Sequence, residues 1–212
     1  MKNKDEVIYS RVEDLSEKFN SFWNNYFHDE KDYFKELTIS NLVSLKKTVS
    51  NINNIITLRV TNQFVEYLHS EGIITASQKE EVLSNVDKIH PNSNGYDVKL
   101  TYPEIKIIAE VKCCIPAGTN SYGAAQEESI FTDIELLLDG KSKSGIKEGD
   151  NIKEYYKFMV LMAGEKVETS IAKLLVKLKK DPGKKVELYT SKNDLRKDTV
   201  YVVSIAPDKK YN

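Results

Sequence analysis

Apolar residues recur every third or fourth position along the first ninety residues, and every second position in short runs after residue 95. The first regime predicts helices. Ile8, Val12, Leu15, Phe19, Phe22, Trp23 and Phe27 mark an amphipathic helix over 5–35, with Glu13, Asp14, Glu17 and Lys18 opposite. Thr38 to Ser70 carries a second stripe through Leu42, Leu45, Val49, Ile52 and Ile56. Asn51, Asn53 and Asn54 lie within it, so one long helix or two both fit the pattern. Gly72 suits the position after a helix end, and Ser77-Gln78-Lys79-Glu80 reads as a capping box opening a short helix through about Lys88.

His90 to Gly95 is a loop, and the period then changes to two. Gly95 to Thr101 and Ile105 to Lys112 are predicted strands, joined at Thr101-Tyr102-Pro103-Glu104. Ile105, Ile107, Ala109 and Val111 share one face; Lys106, Ile108, Glu110 and Lys112 share the other. A turn centred between Tyr102 and Pro103 places Asp97 opposite Ile108, Lys99 opposite Lys106 and Leu100 opposite Ile105. Asp97 is then diagonal to Glu110, and Tyr96, Val98 and Leu100 fall with the isoleucines. A slip of one residue would send Asp97 into the core, so the apolar pattern excludes it. Two carboxylates and a lysine are thus expected on one exposed face.

The remainder alternates between the two regimes. After the Pro116–Gly123 loop a helix is predicted over Ala124–Asp139, closed by Gly140, followed by a Gly, Ser and Lys-rich segment over 141–149. Tyr155 to Ala163 reads as a buried strand, Val167 to Lys180 as a helix ended by Asp181-Pro182-Gly183, and Val186–Thr190 and Thr199–Ala206 as strands before a polar, fraying tail. This order predicts an α/β layered fold: helical N-terminal residues 1–90 packed on or extending an α/β core over 91–212, as one continuous domain.

Composition narrows the class. A chain of 212 residues can bury a sizeable core. With 40% hydrophobic and 30% charged residues it reads as an ordinary soluble domain. The absence of a long apolar run or an apolar leader predicts no membrane span and a cytoplasmic location. A net charge of −1 neither advertises nor excludes a nucleic-acid partner, because acidic ligands offset a basic groove. Cys113 and Cys114, adjacent in a strand end, point to opposite faces and cannot act as a disulfide framework or a joint metal site. His28, His69 and His90 have no ligand spacing.

Asp97, twelve intervening residues and then Glu110-Val111-Lys112 resembles the bipartite motif of the PD-(D/E)xK nuclease superfamily, to which most type II restriction endonucleases belong. Tyr96 stands where that motif is named for Pro. Asp97-Val98-Lys99 and Glu104-Ile105-Lys106 have the same acid-x-Lys form; the hydrophobic strand and an upstream Asp in phase single out Glu110-Val111-Lys112. The strand–helix order is similar to that superfamily's mixed sheet flanked by helices.

The resemblance implies a Mg²⁺-dependent DNA endonuclease. Asp97, Glu110 and the Val111 carbonyl would hold the metal, a hard cation that prefers oxygen ligands, and Lys112 would stand beside the attacking water. Glu66, on the helix before the hairpin, is a further catalytic candidate. Lys99, Gln126, Lys141 and Lys143 are candidates for DNA contact, with Lys147 and the Gly118–Gly123 loop beside them. The long helical N-terminal half favours a type II restriction enzyme acting on double-stranded DNA as a homodimer. The alternatives are a repair or recombination nuclease such as a junction resolvase, or a non-catalytic DNA-binding module with the same side chains as a surface ion cluster.

Overall fold

The computed structural model describes residues 10–88, 95–116, 120–141, 151–164, 166–178 and 185–206. The Lys143 and Lys147 candidates, the His90–Asn94 loop and the tail from Pro207 lie outside these residues, as does part of the Gly118–Gly123 loop. The chain divides into two compact units between Asn51 and Ile52, not near residue 90.

In the first unit, helix α1 (Arg11–Phe27) opens at Ser10, whose hydroxyl accepts from the Glu13 N–H. It ends eight residues earlier than the periodicity suggested, because His28 takes the left-handed conformation at φ 58°. Phe19, Trp23, Phe27 and Tyr33 lie ring against ring at 5.5–6.4 Å, yet no residue of α1 is buried. Helix α2 (Ile39–Ser70) is continuous through Asn51, Asn53 and Asn54, and the unit boundary falls inside it.

In the second unit, α2 from Val60 onward and α3 (Ala76–Val86) cover one face of a five-stranded sheet. The cap of α3 is Thr75 with Gln78, two residues ahead of the expected box. The Thr75 hydroxyl accepts from the Gln78 N–H, and the Gln78 amide oxygen accepts from the Thr75 N–H. The sheet comprises β1 (Val98–Thr101), β2 (Lys106–Lys112), β3 (Tyr156–Met162), β4 (Val186–Leu188) and β5 (Val200–Ile205), in the order β1-β2-β3-β5-β4. β1 is antiparallel to β2; the other neighbours are parallel. Helices α4 (Ala124–Asp139) and α5 (Val167–Leu178) provide the parallel crossovers and cover the opposite face.

Two cores result. Val60, Phe64 and Leu68 pack with Val98, Ile107, Ala109 and Phe158 on one side. Ile130, Ile134 and Leu137 of α4 pack with Ile108, Met159 and Val202 on the other. A sheet covered on both faces explains why β2 and β3 are buried at nearly every position. Cys113 packs toward the first core and Cys114 toward the second, and both are free thiols. No helix among the described residues is long and apolar enough to cross a membrane.

The hairpin register differs from the expectation by two residues. Val98 stands opposite Ala109, Lys99 opposite Ile108, Leu100 opposite Ile107 and Thr101 opposite Lys106. The connection is longer than a tight turn, closed by the Tyr102 N–H donating to the Ile105 carbonyl at 3.0 Å. A slip of two preserves every face assignment. Tyr96 is the exception: lying ahead of β1, it turns into the α4-side core.

Candidate active site

Asp97 lies just ahead of β1, next to the Val98–Ala109 pair, and its charge acts on Glu110 of β2. The two carboxylates are therefore neighbours, one on β2 and one on the residue that leads into β1. The Val111 N–H donates to Asp97 Oδ2 at 2.8 Å, which ties the residue before β1 to the β2 backbone. The expected exposed face is instead roofed by α4, and Glu110 is only 6% exposed.

Burial, the Asp97 charge and then the Asp133 charge push the Glu110 carboxyl up to about 7, against the opposing pull of Lys141. Asp97 is also raised, chiefly by burial, although the Val111 N–H and nearby lysines favour its charged form. Two neighbouring acids are thus held in a place that disfavours two negative charges.

Two lysines answer them. Lys112 Nζ lies 2.8 Å from Asp133 Oδ2, so the motif lysine is held by α4. Lys141 Nζ lies 2.5 Å from Glu110 Oε1 and 2.9 Å from the Gly95 carbonyl, which accepts its hydrogen bond. Glu110 Oε1 is thus buried against the Lys141 ammonium, which favours its charged form. The Lys141 stem is fixed at its backbone: its N–H donates to the Tyr96 hydroxyl at 3.2 Å, and that hydroxyl donates to the Leu136 carbonyl at 3.1 Å. The ammonium also stands 5.2 Å from the Tyr96 ring centroid.

Asp133 was not singled out from the sequence, although a signal was present. It shares the inward stripe of α4 with Ile130, Ile134 and Leu137 at helical spacing, and an acid on an apolar stripe requires a partner.

The remaining candidates go elsewhere. Glu66 pairs with Lys79 of α3 at 3.3 Å, within the elements that cover the other face of the sheet. Gln126 caps its own helix, accepting from the Gly123 N–H at 2.9 Å and donating to the Ile115 carbonyl at 3.0 Å. Lys99 stands opposite Ile108 rather than Lys106, and Lys106 pairs with Glu154 at 2.6 Å. Lys141, expected at a DNA contact, is the cation of Glu110. A cavity of about 330 Å³ at the ends of β2 and β3, lined by Ile115, Pro116, Met162 and Val167, includes none of the site's carboxylates.

Among the described residues no three His, Cys, Asp or Glu side chains form a closed metal-ligand group. Mg²⁺ does not require one: it is commonly held by one or two carboxylates, with waters and substrate phosphate completing the shell. Asp97 and Glu110 fit that pattern, with Glu110 Oε1 facing the Lys141 ammonium. Asp97, Glu110, Lys112, Asp133 and Lys141 together provide paired oxygen ligands and two ammonium groups in one half-buried place.

The chain matches no protein-family model, no curated protein and no solved structure.

Proposed function

We propose that this chain is a Mg²⁺-dependent DNA endonuclease with a restriction-endonuclease-like core, most closely resembling type II restriction enzymes that cut double-stranded DNA. The observation that carries the reading is the Asp97–Glu110 pair: Asp97, anchored on the β2 backbone by the Val111 N–H, and Glu110 of β2 are neighbouring acids largely withdrawn from water, with the Lys141 ammonium beside them. Burying like charges side by side is costly unless a cation joins them. The strand order around them supports the same reading, since Glu110 and Lys112 lie on β2, an interior hydrophobic strand between β1 and β3.

Asp97 and Glu110 would hold the metal. When bound, it would polarise the phosphate and lower the pKa of a water. Hydrolysis adds the water oxygen to phosphorus and breaks the bond to the 3′ oxygen, which leaves with a proton. Lys112 stabilises the negative charge that develops on the phosphoryl oxygens. Asp133 holds the Lys112 arm toward that work at 2.8 Å, as a positioning residue. The Val111 N–H fixes Asp97, so the backbone of the motif aligns its own carboxylate.

The proposed partners are double-stranded DNA and a second copy of the chain. Among the described residues of the N-terminal unit nine large apolar side chains are exposed, Phe22, Tyr26, Ile39 and Val43 among them. A dimer through this surface would need about 800 Å² from each partner, and two-fold symmetry suits cleavage of both strands.

A non-catalytic module is the second reading, favoured by one observation: Glu110 and Asp133 already have lysine partners, as in a structural ion cluster. Digestion of linear and branched duplexes with Mg²⁺, Mn²⁺ or EDTA separates these. Discrete fragments from linear DNA, only with metal, support restriction; preference for branched DNA points to a resolvase. Intact DNA in every lane removes the nuclease reading.

A further inference from the structure

We propose that the Lys141 ammonium is the resident cation of the Asp97–Glu110 pair and must leave for a divalent metal to bind, so that the metal-free site is held shut by its own side chain. The proposal rests on the nuclease reading of the same carboxylates and adds how that site is regulated.

The donors around Lys141 Nζ are those a hard cation selects: a carboxylate oxygen at 2.5 Å, a backbone carbonyl oxygen at 2.9 Å and the field of a second carboxylate, Asp97. The contact to Glu110 pairs opposite charges at one oxygen, so a divalent cation would compete for the same atom. Divalent metal and ammonium cannot share Glu110 Oε1. Mg²⁺ would sit about 2.0–2.1 Å from that oxygen, which leaves two cations a few ångströms apart and strongly repelling.

The molecule is built for one of them to move. The Lys141 backbone is held by Tyr96, which is itself tied to Leu136, while the Gly140 N–H closes α4 on the same Leu136 carbonyl at 3.0 Å. Only the four-carbon arm is free to swing, and lysine is the cation with the flexible stem. Lys112 is not an alternative occupant, because Asp133 holds it. Lys141 follows the Gly140 cap, the end of a sixteen-residue helix whose inward face carries Asp133. One helix therefore delivers both the cation that blocks the pair and the acid that restrains the other lysine.

The test is Mn²⁺ binding to the full chain without DNA, followed by electron paramagnetic resonance titration. Lys141→Met, which keeps a similar stem and removes the charge, is expected to bind Mn²⁺ about ten-fold more tightly than the parent, the order expected for removing one adjacent like charge. Lys141→Arg, which keeps the charge, is expected to bind no more tightly than the parent. Equal or weaker binding by a folded Lys141→Met overturns the proposal. If that variant does not fold, Mg²⁺ titration of the parent decides: the Lys141 side-chain amine resonance must shift in step with metal uptake, and a resonance unmoved at saturation overturns the proposal. Failure of the nuclease reading is separate. A chain that binds Mn²⁺ competitively with Lys141 but leaves DNA intact keeps this proposal and loses that one. A parent and variant that bind no metal lose both.

Discussion

Lys112 and Asp133 form an ion pair between β2 and α4, Nζ to Oδ2 at 2.8 Å, with the carboxylate side chain only 13% exposed. If Asp133 works by orienting Lys112, its loss matters only while the lysine is present. Asp133→Asn is expected to lower DNA cleavage roughly ten-fold, the lower end of the effect of removing a group that orients a site residue. In a Lys112→Ala background the same change should cost almost nothing, a coupling read from the double-mutant cycle. Independent, multiplying losses would assign Asp133 some other task.

Lys157 is a buried titratable group away from the site, 2% exposed, with its ammonium donating to the Tyr155 carbonyl at 2.9 Å and to the Lys197 carbonyl. Burial lowers its pKa to about 8. From pH 8 to about 10.5 the unfolded chain therefore holds a proton that the folded chain releases, so this residue makes stability rise with pH across that window. Below pH 8 both states are protonated and its contribution is flat. Urea denaturation at pH 7.5 and 9.5 should show a more favourable change with pH for the parent than for Lys157→Met, by up to about 2 kcal/mol. Equal pH dependence in the two proteins would contradict this.

The division at Asn51 makes Phe64 a core residue of the sheet unit: it is fully buried, with its ring 5.4 Å from that of Phe158. Phe64→Ala is expected to cost about 3–5 kcal/mol of unfolding free energy, read from denaturant titration. Phe22→Ala, on the exposed side of α1, is expected to cost under about 0.5 kcal/mol in the folded monomer.

Phe22 should matter to assembly instead. The parent is expected to sediment as a dimer at micromolar concentration, and Phe22→Asp with Val43→Asp as a monomer of unchanged helix content. A parent that sediments as a monomer would remove the second copy as partner of this surface.

The sequence made the alternating strands legible because a period of two survives any register that keeps the apolar residues inward. For the same reason it could not distinguish registers two residues apart, and the Thr101–Lys106 pairing had to come from the turn, where Tyr102 and Ile105 close a wider connection. The acids were legible as a pair on one face. What escaped was the roof: continuous burial of β2 follows from helices packed on both sides, and local periodicity does not say which helix covers which face. The long-range ion pairs escaped for a related reason. Whether Lys112 meets Asp133, Lys141 meets Glu110 or Glu66 meets Lys79 depends on how elements pack. The capping box was misplaced by two residues because Thr75 and Ser77 offer the same chemistry, and only the chain's path decides which hydroxyl meets the free N–H groups.

The most direct measurement is the cleavage rate of a defined plasmid with Mg²⁺ by the parent, Asp97→Asn and Glu110→Gln, with folding of each checked by its thermal melt. The expected result is metal-dependent cutting by the parent and a loss of at least about 100-fold in both variants, at or beyond the upper end of the effect of removing a merely orienting group. Folded variants that cut as fast as the parent, or a parent that leaves DNA intact with Mg²⁺ and with Mn²⁺, would contradict the assignment of the neighbouring carboxylates.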